Sequence, residues 1–315
     1  MLDRAVFALA TVLLAGVFDV LFGDPPDALH PVAWMGKLIG WLEKRRPKQR
    51  PAAEMLWGLL IVLLTCAVSG GLAWGLTLGL AKLPWWVSLP VGAYLLKTTF
   101  SLRGLVAAGR TVQRALDADT ATAREELKAL VSRSRNLEPP QIVSATVESV
   151  AENLTDSVLS PLLYFACFGL PGAVVYRAIN TMDAMIGYHG EYEYLGKIAA
   201  RLDDVANWLP ARLAGVILCL VALTNGGCLA ALRTLRRDRR GVESPNAAWT
   251  MAPMAGALHV QLEKVGHYRL GTPERPLTPA VIGEVITLTW CAGGAYLLLG
   301  ALLAAAIVYY RLGWR

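Results

Sequence analysis

The sequence is short of charged residues and of paired cysteines. Asp, Glu, Lys and Arg make up only 17% of its 315 residues, whereas soluble chains carry about 25%. The five cysteines are odd in number and none belongs to a Cys-x-x-Cys pair. This excludes a disulfide-stapled secreted module and a zinc site built on cysteine pairs. The 55% share of hydrophobic residues excludes an intrinsically disordered chain.

Several common catalytic motifs are also missing. The sequence has no Gly-x-x-x-x-Gly-Lys-Ser/Thr loop, no His-Glu-x-x-His, no Gly-x-Ser-x-Gly and no glycine-rich dinucleotide fingerprint. These absences argue against a P-loop nucleotidase, a zinc protease of that type, an α/β-hydrolase and a Rossmann dehydrogenase.

Long hydrophobic segments fill much of the chain. A helix needs about 20 residues to cross the hydrocarbon core of a bilayer, and six segments reach or approach that length. We therefore predict an all-α fold, a polytopic integral membrane helical bundle with cytoplasmic-side polar loops, forming one domain over residues 1–315 with five or six spans. The segments cover residues 5–23, 55–81, 83–102, 157–176, 213–232 and 285–310.

Two of these segments contain helix-breaking residues. Pro161 and Gly169-Leu170-Pro171-Gly172 lie within residues 157–176, which predicts a broken or re-entrant helix. Asn225-Gly226-Gly227 lies within residues 213–232, and turns in both segments would reduce the spans to four. Gly71, Gly75 and Gly79 repeat at a spacing that lets helices approach closely. We expect them to pack within the chain, with a dimer contact as the alternative.

Basic residues predict the orientation. They concentrate in Lys37–Arg50, Arg103–Glu138 and Arg233–Glu243, which the positive-inside rule assigns to the cytoplasm. The protein is then a multi-pass protein of the cell (inner) membrane whose active site faces the cytoplasm. The net charge of +6 reflects this topology and contact with lipid headgroups. No nucleic-acid partner is predicted, because no basic patch is interleaved with aromatic residues.

Acidic residues beside the apolar segments are the first candidates for a functional site. Asp19 lies near the end of the first segment, and Asp24 and His30 follow it. An acid within a span is a functional candidate by default; capping hydrogen bonds are the alternative. Glu148, Glu152 and Asp156 are spaced i, i+4 and i+8, which places them on one helix face. Such an oxygen-rich cluster suits Mg²⁺, and a solvated helix face is the alternative.

Arginine and amide residues form two further groups. The first contains Arg177, Asn180 and Asp183, and the second contains Arg201, Asp203 and Asp204 with Arg212 nearby. Arginine matches phosphate and carboxylate well, so the second group fits an anionic substrate or a second cation, or else a structural ion-pair network. Ser244-Pro245-Asn246 is typical of a turn. These residues leave open an enzyme acting on a phosphorylated substrate or a transporter.

Long strings of the sequence resemble the CobD/CbiB family of cobalamin biosynthesis, the adenosylcobinamide-phosphate synthases. The resemblance runs through nearly the whole chain and is more specific than any motif above. The matching strings are Phe22-Gly-Asp-Pro-Pro26, His30-Pro-Val-Ala-Trp34-Met-Gly36, Leu130-Val-Ser-Arg133, residues 147–162, residues 176–188, residues 200–212 and Ser244-Pro-Asn246.

The resemblance implies an amide-forming ligase. It would join aminopropanol, or aminopropanol phosphate, to a propionate carboxylate of the corrinoid substrate adenosylcobyric acid, with ATP as co-substrate and Mg²⁺. Other implied partners are membrane lipid and either a second copy of the chain or later membrane enzymes of the cobalamin pathway. The metal ligands would be Glu148, Glu152 and Asp156; the catalytic residues Arg177, Arg201, Asp183 and Asp203; and the substrate-binding residues Asp24, His30, Asn153, Asn180, Asp204 and Asn246.

The sequence departs from the family pattern at two places. Ser134 stands where the family usually has an acid, and Ala247–Ala252 replaces a segment that usually contains glycine, proline and glutamate. The second departure puts in doubt a ligand role for the loop after Ser244 and the preferred amino-alcohol donor. The alternatives to the ligase are a non-enzymatic membrane sensor or regulator, as in a related β-lactamase-regulatory branch, and a transporter.

Overall fold

Helices make up nearly all of the regular structure. The computed structural model describes residues 2–48, 50–128, 130–131 and 136–313; Ser134 and half of the Leu130–Arg133 string, Ser132 and Arg133, lie outside them. The helices are α1 Leu2–Phe22, α2 Pro31–Glu43, α3 Pro51–Leu80, α4 Trp85–Lys97, α5 Leu102–Ala118, α6 Thr120–Leu127, α7 Pro139–Leu154, α8 Ser160–Ile186, α9 Lys197–Ala206, α10 Trp208–Val221, α11 Cys228–Asp238, α12 Ala248–Ala257 and α13 Pro279–Gly313.

Local sequence explains where several helices begin. Prolines occupy the first helical positions of α2, α3 and α7, where their missing N–H costs nothing. His30 caps α2, because its Nδ1 accepts a hydrogen bond from the backbone N–H of Val32 at 3.2 Å. Asp119 caps α6 through the N–H of Thr122 at 2.8 Å. Such caps satisfy backbone donors that the helix itself cannot.

Five helical segments of the described chain are long and apolar enough to cross a membrane, which confirms the polytopic helical prediction. The predicted segment at residues 83–102 is not among them. It forms α4, whose 13 residues reach only about 20 Å, too short for the hydrocarbon core. The five segments are Arg4–Phe22, Pro51–Leu80, Pro139–Ile186, Trp208–Asn225 and Pro279–Arg311.

The predicted helix breaks are present. Gly169 has a φ of 69° and a ψ of −162° inside α8, as the Gly-Leu-Pro-Gly string predicts. The segment at residues 213–232 begins earlier than predicted, at α10, and turns at Gly226 with a φ of 76° before α11 starts. Between α7 and α8, Thr155–Leu159 forms a π-helical turn. Pro161 cannot donate to the preceding turn, which favours this widened backbone.

The described residues also include a short β-hairpin, which the all-α prediction missed. Its strands, β1 Gln261–Lys264 and β2 Tyr268–Gly271, pair antiparallel with Gln261 opposite Gly271. The turn passes through Gly266, which has a φ of 78° that glycine adopts without steric cost.

The chain divides into two compact units, each assembled from separate stretches of sequence. The first contains Met1–Ser101, Ser160–Asn207 and Leu297–Arg315, and the second contains Leu102–Leu159 and Trp208–Tyr296. In the first unit, α1 packs on α4, and α8 packs on α2, α3 and α9. In the second, α12 packs on α7, α10, α11 and β2, and α7 also packs on α5 and β1.

The first unit has its core where α2, α3, α8 and α9 meet. Ile39, Ile61, Met182, Leu195 and Ala199 belong to this buried cluster. Gly58 of α3 permits the close approach, because a Cβ there would lie 2.0 Å from the carbonyl oxygen of Leu195. Among the described residues, an added Cβ at Gly71, Gly75 or Gly79 meets nothing within 4 Å. The expectation that these three glycines pack within the chain is therefore wrong.

Alanine substitutions in α3 distinguish the close contact at Gly58 from the open surroundings of Gly71. We expect Gly58→Ala to lower the free energy of unfolding by about 1–3 kcal/mol, because the new methyl group collides with backbone. Gly71→Ala, on the same helix, should be neutral or stabilising by up to about 1 kcal/mol, because alanine favours the helix. Unfolding of the purified protein in detergent measures both; equal stabilities would contradict the packing at Leu195.

Candidate functional site

A cavity of about 350 Å³ lies within the first unit. The loop between α1 and α2 lines one side, the residues that follow α4 line another, and Arg177 of α8 completes it. The sequence-predicted residues Asp24, His30 and Arg177 are thus brought together. Thr98 and Ser101 also line the cavity; sequence reasoning missed them because a hydroxyl after an apolar helix carries no distinctive signal.

Asp24 is held as a carboxylate at this cavity. Its Oδ1 accepts a hydrogen bond from the ammonium of Lys97, and its Oδ2 accepts one from Ser101 Oγ at 2.5 Å. His30 Nε2 lies 3.8 Å from Oδ1. Burial by itself raises the pKa of Asp24, but the contacts with His30, Lys97 and Ser101 outweigh it and lower that pKa below its usual range. Asp24 therefore remains ionised at neutral pH.

Lys97 is buried between two carboxylates. Its exposed fraction is 0%, and its Nζ lies 3.5 Å from Oδ1 of Asp19, which is 1% exposed. Pairing with two acids compensates the desolvation of its charge.

His30 has its tautomer fixed by the helix that it caps. Because Nδ1 accepts from the Val32 N–H, the neutral ring carries its proton on Nε2, the nitrogen that faces Asp24. Protonation of Nδ1 would remove the cap of α2. His30 therefore combines a structural role with a position in the cavity lining.

A chain of polar side chains leads from the cavity to Asp203. Arg177 Nη1 donates to Asn180 Oδ1 at 3.2 Å, and Asn180 Nδ2 donates to Asp203 Oδ1 at 3.4 Å. The second oxygen of Asp203 accepts from Asn207 Nδ2 at 3.0 Å. Burial raises the pKa of Asp203 to about 6, against the lowering effect of these two amides. Asp203 is therefore a carboxylate that can take up a proton near neutral pH.

The two other predicted catalytic residues of the first unit are Arg201 and Asp183. Arg201 is mostly exposed, and its Nη1 lies 3.4 Å from Oδ2 of Asp204. Asp183 follows Asn180 by one turn of α8 and packs against Gly187, where an added Cβ would lie 2.1 Å from its Oδ1.

In the second unit, Glu148 fastens the hairpin to α7. Its buried carboxylate accepts hydrogen bonds from Ser144 Oγ at 2.6 Å and from the Tyr268 hydroxyl at 2.8 Å. Ser144 Oγ in turn accepts from the backbone N–H of Glu263 at 2.8 Å. Both oxygens of Glu148 are thus engaged with protein donors.

Glu148, Glu152 and Asp156 do not lie on one regular α-helical face as predicted, because Asp156 lies in the π-helical turn. Asn153 is engaged locally, donating to Ser149 O at 2.9 Å and accepting from Ser157 Oγ at 3.2 Å. Within the described part of the chain, no three His, Cys, Asp or Glu side chains converge in a way that could hold a metal ion. A cation at Glu152 and Asp156 would therefore need substrate oxygens or water among its ligands.

Asn246 is held by an arginine in the second unit. Its Oδ1 accepts from Arg212 Nη1 at 2.7 Å, and the guanidinium of Arg212 lies 4.5 Å from the Trp208 ring and 4.9 Å from the Trp249 ring. Ser244 Oγ accepts from the N–H of Asn246 at 3.2 Å, so Ser244-Pro245-Asn246 is a turn, as predicted. The altered segment that follows forms the N-cap and the first half of the buried helix α12.

Comparison with known proteins gives consistent matches along the chain. The family model for the CobD/Cbib protein matches residues 12–309. The chain is similar to the cobalamin biosynthesis protein CobD of Dehalococcoides mccartyi, at 43% identity over 95% of this chain and 96% of that protein. It is also similar to the cobalamin biosynthesis protein CbiB of Salmonella typhi, at 37% identity over 89% and 92%. No solved structure matches the chain.

Neutralising Lys97 should destabilise the first unit. Lys97→Met keeps the shape of the side chain but leaves Asp19 and Asp24 without their cation, and removal of one partner from a buried pair typically costs about 3–5 kcal/mol. Lys82→Met, which removes an exposed lysine, is the matched control and should change the unfolding free energy by less than about 0.5 kcal/mol. Thermal unfolding in detergent measures both, and equal melting temperatures would contradict the buried pairing.

Proposed function

Since the chain belongs to the CobD/CbiB family, we propose that it is an amide-forming enzyme of cobalamin biosynthesis. In this proposal it joins aminopropanol, or its phosphate, to a propionate carboxylate of adenosylcobyric acid and consumes ATP. The cell membrane is its proposed location, supported by five apolar helical segments, and the concentration of basic residues in three loops supports a site on the cytoplasmic side.

The observation that carries the proposal is the link in the first unit between Arg177, which lines the cavity, and the buried carboxylate of Asp203. Arg177 lines the cavity, and its Nε is buried with no hydrogen-bond partner among the described residues. A buried guanidinium N–H without a partner is costly, so an anionic substrate group is the natural acceptor. Asp203 lies two hydrogen bonds further on.

Amide formation requires a cation that neutralises phosphate charge and a base that accepts a proton. A carboxylate becomes an acyl donor when a phosphoryl group is transferred to its oxygen, and Arg177 would neutralise charge on the transferred phosphate. The amine nitrogen then attacks the acyl carbon, the C–N bond forms, and the C–O bond to phosphate breaks. The attacking nitrogen loses a proton, which Asp203 would accept because its pKa lies near the working pH.

Magnesium would be held in the second unit by Glu152 and Asp156. Mg²⁺ usually takes one or two carboxylates and completes its coordination with phosphate oxygens and water, which these two residues fit. Glu148 fits less well, because its two oxygens already accept hydrogen bonds from Ser144 and Tyr268. The bound ion would supply charge neutralisation for nucleotide phosphates.

Activity and its pH dependence test the role of Asp203. With the amino alcohol, adenosylcobyric acid, ATP and Mg²⁺, we expect amide product, and kcat should rise as the pH increases through about 6, where Asp203 loses its proton. Asp203→Asn should lower kcat by at least about 100-fold. Asp204→Asn removes a neighbouring negative charge that raises the pKa of Asp203, so the rising limb should move to lower pH.

Either of two results would count against this assignment. A pH profile that is identical in Asp204→Asn and the unmodified protein would remove Asp203 as the titrating group. Absence of amide product with both the free and the phosphorylated amino alcohol would instead favour the non-enzymatic sensor or the transporter.

Magnesium dependence tests the second-unit acids separately. We expect Glu152→Gln and Asp156→Asn to insert and purify normally, to lose at least about 100-fold in activity, and to require more Mg²⁺. Glu148→Gln is the contrasting variant: it should lower the unfolding temperature, because the hairpin loses its carboxylate acceptor, without raising the Mg²⁺ requirement. Unchanged Mg²⁺ dependence in all three variants would show that these acids are structural.

A further inference from the structure

Asn207 is a buried amide between two hydroxyl groups and a carboxylate. It lies directly after α9 and is 1% exposed. Its Oδ1 accepts hydrogen bonds from Ser160 Oγ at 2.7 Å and from the Tyr176 hydroxyl at 2.9 Å. Its Nδ2 donates to Asp203 Oδ2 at 3.0 Å. The sequence placed Asn207 in a matching string without giving it a role.

These contacts allow only one orientation of the amide. An amide has one acceptor end and one donor end. With both hydroxyls donating to Oδ1, the NH₂ group must point at Asp203. A reversed amide would set its carbonyl oxygen against the carboxylate and leave the two buried hydroxyls without their acceptor, which is unfavourable in a low-dielectric interior.

We propose that Asn207 is a positioning residue for Asp203, and that Ser160 and Tyr176 act as a pair that fixes the orientation of its amide. The proposal rests on the function proposed above, in which Asp203 accepts the proton of the amine. Asn207 is not among the described residues that line the cavity, and in this proposal it acts through Asp203.

Asn207 contacts one of the two oxygens of Asp203, and Asn180 contacts the other. Asp203 Oδ1 accepts from Asn180 Nδ2 at the longer distance of 3.4 Å, so Asn207 provides the shorter of the two amide contacts. Together the two amides occupy both oxygens of the carboxylate with donors. This arrangement favours the ionised form that a base requires and fixes the plane of the carboxylate.

The two hydroxyls should be redundant with each other. If Ser160 is replaced by Ala, Tyr176 still donates to Oδ1 and keeps the amide in place, and the reverse holds for Tyr176→Phe. Only the loss of both removes the preference for one orientation. Positioning therefore predicts a strongly non-additive effect on kcat, whereas independent packing defects would combine additively.

The test is a double-mutant cycle with a matched control. We expect Ser160→Ala and Tyr176→Phe each to lower kcat by about threefold and the double variant to lower it by about 100-fold, with KM for both substrates within about twofold. In an Asp203→Asn background the same pair should cause no further loss. The control is Tyr164→Phe, since the Tyr164 hydroxyl donates to Ala206 O at 3.1 Å and its ring stacks on Tyr176 at 5.0 Å; it should not reproduce the effect.

A spectroscopic measurement decides the arrangement independently of activity. In protein labelled with ¹⁵N-asparagine, the side-chain signal of Asn207 is assigned by its loss in Asn207→Leu. We expect that signal to shift in the Ser160→Ala/Tyr176→Phe double variant and to stay unchanged in Tyr164→Phe.

The outcomes separate this proposal from the proposed function. An unchanged Asn207 signal in the double variant, or a double variant whose kcat equals the product of the single effects, overturns the positioning role. Lack of amide product from the unmodified protein overturns the proposed function instead, and the Asn207 signal then still decides whether the hydroxyl pair orients the amide.

Discussion

The first unit depends on the pairing of its buried charges. Lys97 and Asp19 are buried away from water, and an isolated ion in that position would be unstable. The ammonium of Lys97 contacts both Asp19 of α1 and Asp24 of the following loop. Because one buried cation joins the end of α4 to α1 and to the loop, the same contact that makes the lysine tolerable also fixes one wall of the cavity.

The same rule governs the uncharged and acidic groups buried elsewhere in each unit. In the first unit, Asn207 has both ends of its amide engaged, and in the second, Glu148 has both oxygens engaged by hydroxyl groups. A buried polar group contributes little net stability when all of its hydrogen bonds are made, but it is strongly destabilising when one partner is missing. Such groups therefore determine which helices and strands pack together more than they increase the free energy of unfolding.

The sequence predicted what depends on local pattern and missed what depends on distant pairing. Apolar runs located the helices, and Gly169-Leu170-Pro171-Gly172 located the break. The pairing of Lys97 with Asp24 was missed because the two residues are 73 positions apart in the sequence. The π-helical turn at Thr155–Leu159 was missed because regular spacing was assumed through Pro161, and the hairpin was missed because its strands have only four residues each. Asp24, His30 and Arg177 were found as candidates, but only the fold places them around one cavity.

The intermediate position of Asn180 explains how Asp203 can serve as a base at all. A direct ion pair with Arg177 would depress the pKa of Asp203 and make it a poor proton acceptor. Asn180 instead accepts from Arg177 and donates to Asp203, so the arginine fixes the carboxylate through a neutral group. Burial then raises the pKa of Asp203 while the two amides limit the rise, and the balance lies at about 6. Because Arg177 contacts Asp203 only through the neutral Asn180, Asp203 is ionised at neutral pH and is still basic enough to accept a proton.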